Sequence, residues 1–179
     1  MYIHNIKPNL QVLRDDLFPQ FYGGNKARKI LNIIREVILN QNNAIVTTGG
    51  IQSNHCRVTA LACAKYGWKC RLILHGSEQK FHNQKGNALI IKMCGADVQF
   101  VNPQDIGFAM DKAMGDLKNE GYSPYYLYGG GHNKAGVVAY IEAVKELKKE
   151  FAENHPPDHI FLASGTGSTQ AGILLGLER

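Results

Sequence analysis

The chain is 179 residues long, 44% of them hydrophobic, with a formal charge of +5 and a pI near 9.0. That size holds one domain with a real core or two small lobes. No run of five like charges occurs, and no stretch approaches the ~18 apolar residues of a membrane span, so neither nucleic acid nor membrane is an expected partner. Lys145, Lys148 and Lys149 alternate at helical spacing with Glu142, Glu146 and Glu150 and read as a solvated helix face. The start, Met1-Tyr2-Ile3-His4-Asn5, has no basic stretch followed by an apolar run, so the expected location is cytoplasmic. Cys56, Cys63, Cys70 and Cys94 form no Cys-x-x-Cys pair and read as reduced thiols, mostly in the core. No metal site is expected. His155 and His159 are four apart, but Pro156-Pro157 between them rules out a shared helical face.

In chain order, Lys26 opens a helix-like run through Ile30, Leu31, Ile33 and Ile34. Residues 44–48 read as a buried strand that ends in Gly49-Gly50, and 54–66 as a helix. Residues 71–75 form the next predicted strand, closed by Gly76. A helix follows over 84–93 with Gly95 beyond its end. Residues 98–101 are a short strand stopped by Pro103, 105–119 a helix ended by Gly121, and 125–127 a short strand. The clearest helix spans 133–151, where Val137, Ile141, Val144, Leu147 and Phe151 recur at spacings of three and four. Pro156-Pro157 breaks it, residues 159–163 read as a strand, and 168–177 as a last helix. Alternating strands and helices predict crossover units and a mainly parallel α/β sheet. Ligands in such folds sit beyond the carboxyl ends of the strands. A sheet that includes Ile160 needs further strands as partners.

Three segments carry chemistry. In Gly23-Gly24-Asn25-Lys26-Ala27-Arg28-Lys29, Lys26 sits at a helix start beside two other cations. Dipole and charge both depress its pKa, and a neutral amine is the nucleophile that forms a Schiff base with an aldehyde. In Gly49-Gly50-Ile51-Gln52-Ser53-Asn54-His55-Cys56-Arg57, a turn enters a helix whose N–H groups suit a carboxylate. Asn54 can donate to a phenolate, and Ser53 can bond a substrate; equally, Ser53 and Asn54 are an N-cap pair. In Ser164-Gly165-Thr166-Gly167-Ser168-Thr169-Gln170-Ala171-Gly172, a glycine loop leads into a helix, the setting of a phosphate cradle or of a plain capped loop. Gln170 stands where a dinucleotide fingerprint needs its third glycine, and no Gly-Lys-Ser/Thr occurs, so neither NAD nor ATP is held in the usual way.

Taken in order, these segments resemble the 1-aminocyclopropane-1-carboxylate deaminase/D-cysteine desulfhydrase family. The likeness continues through Lys85-Gly86-Asn87-Ala88-Leu89, Gly95-Ala96-Asp97-Val98 and Gly129-Gly130-Gly131-His132-Asn133. The resemblance implies pyridoxal 5′-phosphate as cofactor and the tryptophan synthase β-like fold (fold type II), with two α/β lobes, each with a parallel sheet. Residues 31–128 would form the small lobe, and 1–30 with 129–179 part of the large one. It further implies that Lys26 forms the Schiff base with the cofactor and moves the substrate's proton. Asn54 would bond the pyridoxal 3′-oxygen. Ser53, with Gln52 and His55 around it, would hold the substrate carboxylate. Gly165, Thr166, Gly167, Ser168 and Thr169 would cradle the phosphate.

Family members are longer, so the large lobe is expected to be incomplete in this chain. The expected substrate is a small amino acid. D-cysteine would give pyruvate, ammonia and sulfide, and 1-aminocyclopropane-1-carboxylate would give 2-oxobutanoate and ammonia. A homo-oligomer is implied by the resemblance. Two other readings stand beside this one: a truncated, non-catalytic remnant that binds the cofactor or a partner chain, and a β-replacing enzyme of the cysteine synthase kind.

Overall fold

The structure, a computed structural model, describes residues 1–83, 85–151 and 156–178. The expected helix start at Gln84 and the His155 of the discounted metal pair lie outside the described residues. The chain opens with an antiparallel hairpin, β1 (Ile3–Lys7) and β2 (Leu10–Leu13), turned at Pro8-Asn9. Then come α1 (Asn25–Leu39), β3 (Ala44–Gly50), α2 (Asn54–Tyr66), β4 (Lys69–His75), α3 (Glu78–His82) and α4 (Gly86–Met93). They are followed by β5 (Asp97–Phe100), α5 (Ile106–Asn119), β6 (Pro124–Tyr126), α6 (Lys134–Glu150) and α7 (Ser168–Leu177).

The central sheet is four-stranded in the order β5-β4-β3-β6, and its pairs are all parallel. Alternation along β3 sends Ala44 and Val46 to one face and Ile45 to the other. On the first face, Ile73 of β4 joins Ala109, Met110, Ala113 and Leu117 of α5. On the second, Leu72 and Leu74 meet α1 (Ile30, Ile33, Ile34, Val37), α2 (Val58, Ala60, Cys63) and α4 (Ala88, Ile91). Coverage on both faces is what a parallel sheet requires. Cys56, Cys63 and Cys70 are buried as core side chains, and Cys94 is half-buried.

A second layer lies outside α1. Arg28 of α1 is buried and bonds Asp15 at 2.7 Å and Glu146 of α6 at 3.1 Å, and Tyr140 of α6 donates to the other Asp15 oxygen. The N-terminal segment is thereby tied to α1 and α6. α7 packs on α6 through glycines. A Cβ on Gly172 would lie 2.5 Å from the Val137 oxygen and the Tyr140 Cβ, and one on Gly176 2.7 Å from the Val144 Cβ. The two helices approach closely because these positions carry no side chain.

One expectation is corrected: residues 159–163 form no strand. A strand exists only by pairing, and among the described residues no neighbouring strand lies alongside; Phe161 is 92% exposed. Residue 30 lies inside α1. That helix packs both on the sheet and on α6.

Gly172→Ala is expected to cost about 1–3 kcal/mol by overpacking, seen as a lower midpoint in urea with an unchanged slope. An unchanged midpoint would show that the helices can part freely.

Candidate active site

The chain runs from β3 to β4 and β5 on one side and comes back to β6 on the other. The loops after β3 and β6 therefore diverge, and a crevice opens at their carboxyl ends. The loop after β3 enters α2; the loop after β6 carries a 3-10 turn at Gly129–Gly131. α1 delivers its first turn to the same place. Its entry depends on Gly23, whose φ is +70° and whose missing Cβ would stand 2.2 Å from the Asp16 carbonyl oxygen, a conformation and a space that favour glycine alone.

Lys26 Nζ donates to the Gly130 carbonyl at 2.9 Å. One turn further on, Lys29 is 2% exposed and its Nζ donates to Ser168 Oγ at 2.8 Å. Burial lowers the Lys26 amine. Burial first, and the neighbouring Lys26 charge second, push Lys29 down to about 8. His55, buried behind the pair, is pushed to about 3 by burial and then by the two lysines. It is therefore neutral at pH 7. Thr47 Oγ1 spends its one proton on the Leu127 carbonyl at 2.7 Å. At its 2.8 Å contact with His55 Nε2 the hydroxyl must then accept, which places the imidazole proton on Nε2.

Two helix N-termini supply open donors. α7 begins after Gly167 (φ +81°) with no side-chain cap. Its Ala171 N–H is paired with the Gly167 carbonyl, while the N–H groups of Ser168, Thr169 and Gln170 have no backbone partner among the described residues. In α2, Ser53 caps the Cys56 N–H at 3.2 Å, leaving those of Asn54 and His55 open. Asn25 Nδ2 reaches Thr169 Oγ1 at 3.3 Å and so ties the starts of α1 and α7 together. Arg57 of α2 donates to the Gly23 carbonyl at 3.2 Å.

Most of the residues singled out in the sequence converge here. A Cβ on Gly130 would meet Thr166 at 3.0 Å and Lys26 Nζ at 3.3 Å. Ser168 and Thr169 are tied to α1, and a Cβ on Gly131 would lie 3.8 Å from His55 Nδ1. Asn54 lines a cleft of about 190 Å³ with Lys26, Tyr22 and Arg57. Gly165 is exposed, with open space around it. The Gln52 side chain points instead to residues 85–87. The buried Lys29 and Thr47 and the half-buried Arg57 and Asn87 carry no role assigned from the sequence. Lys29 was within reach of it, since i and i+3 share a helix face.

An amine of lowered pKa beside uncapped helix N-termini, at the switch point of a parallel sheet, fits an aldehyde cofactor that bears a phosphate. These features define an α/β enzyme of the pyridoxal-phosphate class. The chain matches the family described as pyridoxal-phosphate dependent enzyme over residues 3–179, and it belongs to that family. It is 37% identical over 163 residues to a 1-aminocyclopropane-1-carboxylate deaminase of Bradyrhizobium diazoefficiens, covering 87% of this chain and 48% of that protein. It is 30% identical over 172 residues to a D-cysteine desulfhydrase of Klebsiella pneumoniae, covering 94% and 52%. A crystal structure of an ACC deaminase homologue superposes with a TM-score of 0.81 at 32% identity, over 93% of this chain and 50% of that one. A cysteine synthase from Entamoeba histolytica, at 16% identity and a TM-score of 0.66, shares the fold. The resemblance drawn from the motifs is borne out. The chain spans about half the length of the curated relatives it matches.

Because Lys29 is lowered from 10.5 to about 8, the unfolded chain binds more protons across that window, and stability rises with pH through it. The stability difference between wild type and Lys29→Met, from urea unfolding at stepped pH, is expected to move in the wild type's favour from pH 8 to 10.5. A flat difference would mean that the buried amine keeps an ordinary pKa.

Proposed function

We propose that the protein acts as a pyridoxal-phosphate lyase, deaminating a small amino acid of the D-cysteine or 1-aminocyclopropane-1-carboxylate type. The observation that carries this reading is Lys26, an amine of lowered pKa held on the Gly130 carbonyl beside the open N-terminus of α7. Residues 165–169, with the Lys29 amine behind Ser168, would hold the cofactor phosphate. Asn54 would donate to the phenolic oxygen, and Lys26 would bind the aldehyde carbon. Bound cofactor supplies a sink for the electron pair left at the substrate's α-carbon.

The rest falls to this chain's own groups. The N–H groups of Asn54 and His55, with the Ser53 hydroxyl, receive the substrate carboxylate. Lys26, a base of lowered pKa, would take up and return the α-proton. Neutral His55 adds no positive charge beside that base, since burial and the two lysines shift it toward its neutral form. The same reading treats residues 31–128 as a small lobe and 1–30 with 129–179 as part of a larger one. It also takes the protein to be a cytoplasmic homo-oligomer. Its three buried thiols, packed as core side chains, support a reducing compartment.

The test uses the full-length protein with pyridoxal phosphate. Sulfide and pyruvate from D-cysteine, or 2-oxobutanoate from 1-aminocyclopropane-1-carboxylate, are expected, with a loss of about 10²–10⁴-fold in Lys26→Ala. Turnover that survives the substitution would contradict the role of Lys26. Sulfide consumption with an activated serine donor would assign a β-replacement instead.

A further inference from the structure

The segment Lys85-Gly86-Asn87 lies outside the chemistry described so far, yet the structure binds it to the loop that carries Asn54. Four hydrogen bonds make the connection. Gln52 Nε2 donates to the Lys85 carbonyl at 2.9 Å. The Asn87 backbone N–H donates to Gln52 Oε1 at 2.9 Å. Asn87 Nδ2 donates to the Gln52 carbonyl at 2.8 Å and to Asn54 Oδ1 at 2.9 Å.

The chemical identity of every atom in this network is fixed by backbone groups, which have only one possible role. The Lys85 carbonyl can only accept, so the Gln52 atom facing it is nitrogen. The Asn87 N–H can only donate, so the other Gln52 atom is oxygen, and the two constraints agree. The Gln52 carbonyl can only accept, so Asn87 presents its NH₂ there. That NH₂ has two protons. One goes to the Gln52 carbonyl and the other to Asn54, whose facing atom must be the oxygen. The Asn54 amide is therefore turned one way, with its own NH₂ left over. That NH₂ has no hydrogen bond to a described residue, and Asn54 lines the cleft that holds Lys26.

Gly86 is part of the same device. It begins α4 at φ +58°, and a Cβ there would lie 2.8 Å from Gln52 Oε1. The N-terminus of α4 thus takes the Gln52 oxygen as a cap for one of its orphan donors, and a side chain at residue 86 would push the Gln52 amide aside.

We propose that Asn87 is a positioning residue: by accepting no alternative orientation of the Asn54 amide, it makes Asn54 a donor, not an acceptor, toward the cleft. A donor is what an anionic phenolic oxygen requires, and an acceptor there would repel it. The inference rests on the proposed role of Asn54 at the cofactor. Gln52, expected from the resemblance to sit with the substrate, belongs in its side chain to this clamp.

Asn87→Ala and Asn87→Asp separate the clamp from mere packing. Both remove the bond to the Gln52 carbonyl. Only the aspartate offers Asn54 an acceptor, which turns the Asn54 amide round so that its oxygen faces the cleft. Pyridoxal phosphate affinity and the band ratio in the visible spectrum of the bound cofactor are measured on the full-length protein. Far-UV circular dichroism and the thermal midpoint serve as controls for folding. N87A is expected to weaken pyridoxal phosphate binding about threefold, and N87D more than tenfold with an altered band ratio. In an Asn54→Ala background the N87A loss should vanish and the N87D loss shrink at least threefold, the remainder being the through-space effect of the added carboxylate.

Equal losses in the two backgrounds would overturn the proposal, as would an N87D loss no larger than that of N87A. If Asn54→Ala alone leaves affinity and spectrum unchanged, Asn54 makes no cofactor contact and the inference falls while the function stands. If wild type and Lys26→Ala bind pyridoxal phosphate alike, the functional reading itself fails and takes the inference with it.

Discussion

Two lysines one helical turn apart, both drawn out of water, are the constraint on which this site depends. Burying two amines side by side disfavours their charged forms and lowers the pKa of both. Lys29 cannot escape to solvent: it lies between α1 and α7, with its amine on Ser168. Lys26 is less buried and faces the crevice. The same contacts that bury Lys29 also fix α7 against α1, so a charge problem and a packing solution share one pair of residues. Each helix N-terminus nearby adds partial positive charge. The region as built is short of negative charge, and an anionic guest bearing an electrophilic carbon relieves that.

The scaffold makes this possible through close approach rather than through bulk. Gly23 turns where Asp16 leaves no space, Gly130 passes between Thr166 and Lys26, and Gly172 lets α7 lie against Tyr140. Of these contacts, the one between Gly130 and Lys26 joins segments 104 residues apart in the chain. The polar partners then set orientation. Thr47 holds His55 as one tautomer, and Asn87 holds Asn54 in one rotation.

Much of this was legible in the sequence. The parallel order followed from alternation, because buried strands and amphipathic helices have different periods. Lys26, Asn54 and the 165–169 loop were marked by their chemistry and by the order of three motifs. What escaped has a common physical cause. The β1–β2 hairpin is short and largely exposed, so no hydrophobic period announces it. The strand expected at residues 159–163 has the right composition, but composition does not provide a neighbouring strand. Lys29 and Asn87 owe their roles to partners far along the chain, Ser168 and Asn54, and distance in sequence conceals such contacts. Gln52 drew attention through its motif, while its side chain turned out to serve the clamp around Asn87.

The most direct measurement is borohydride reduction of the full-length protein with pyridoxal phosphate, followed by peptide mapping of the modified lysine. The two amines are three residues apart and differ in burial and in hydrogen-bond partner. The account predicts the pyridoxyl group on Lys26, with Lys29 unmodified. Modification of Lys29, or a spread over surface lysines with Lys26 untouched, would contradict the assignment of the crevice as a cofactor site built around Lys26.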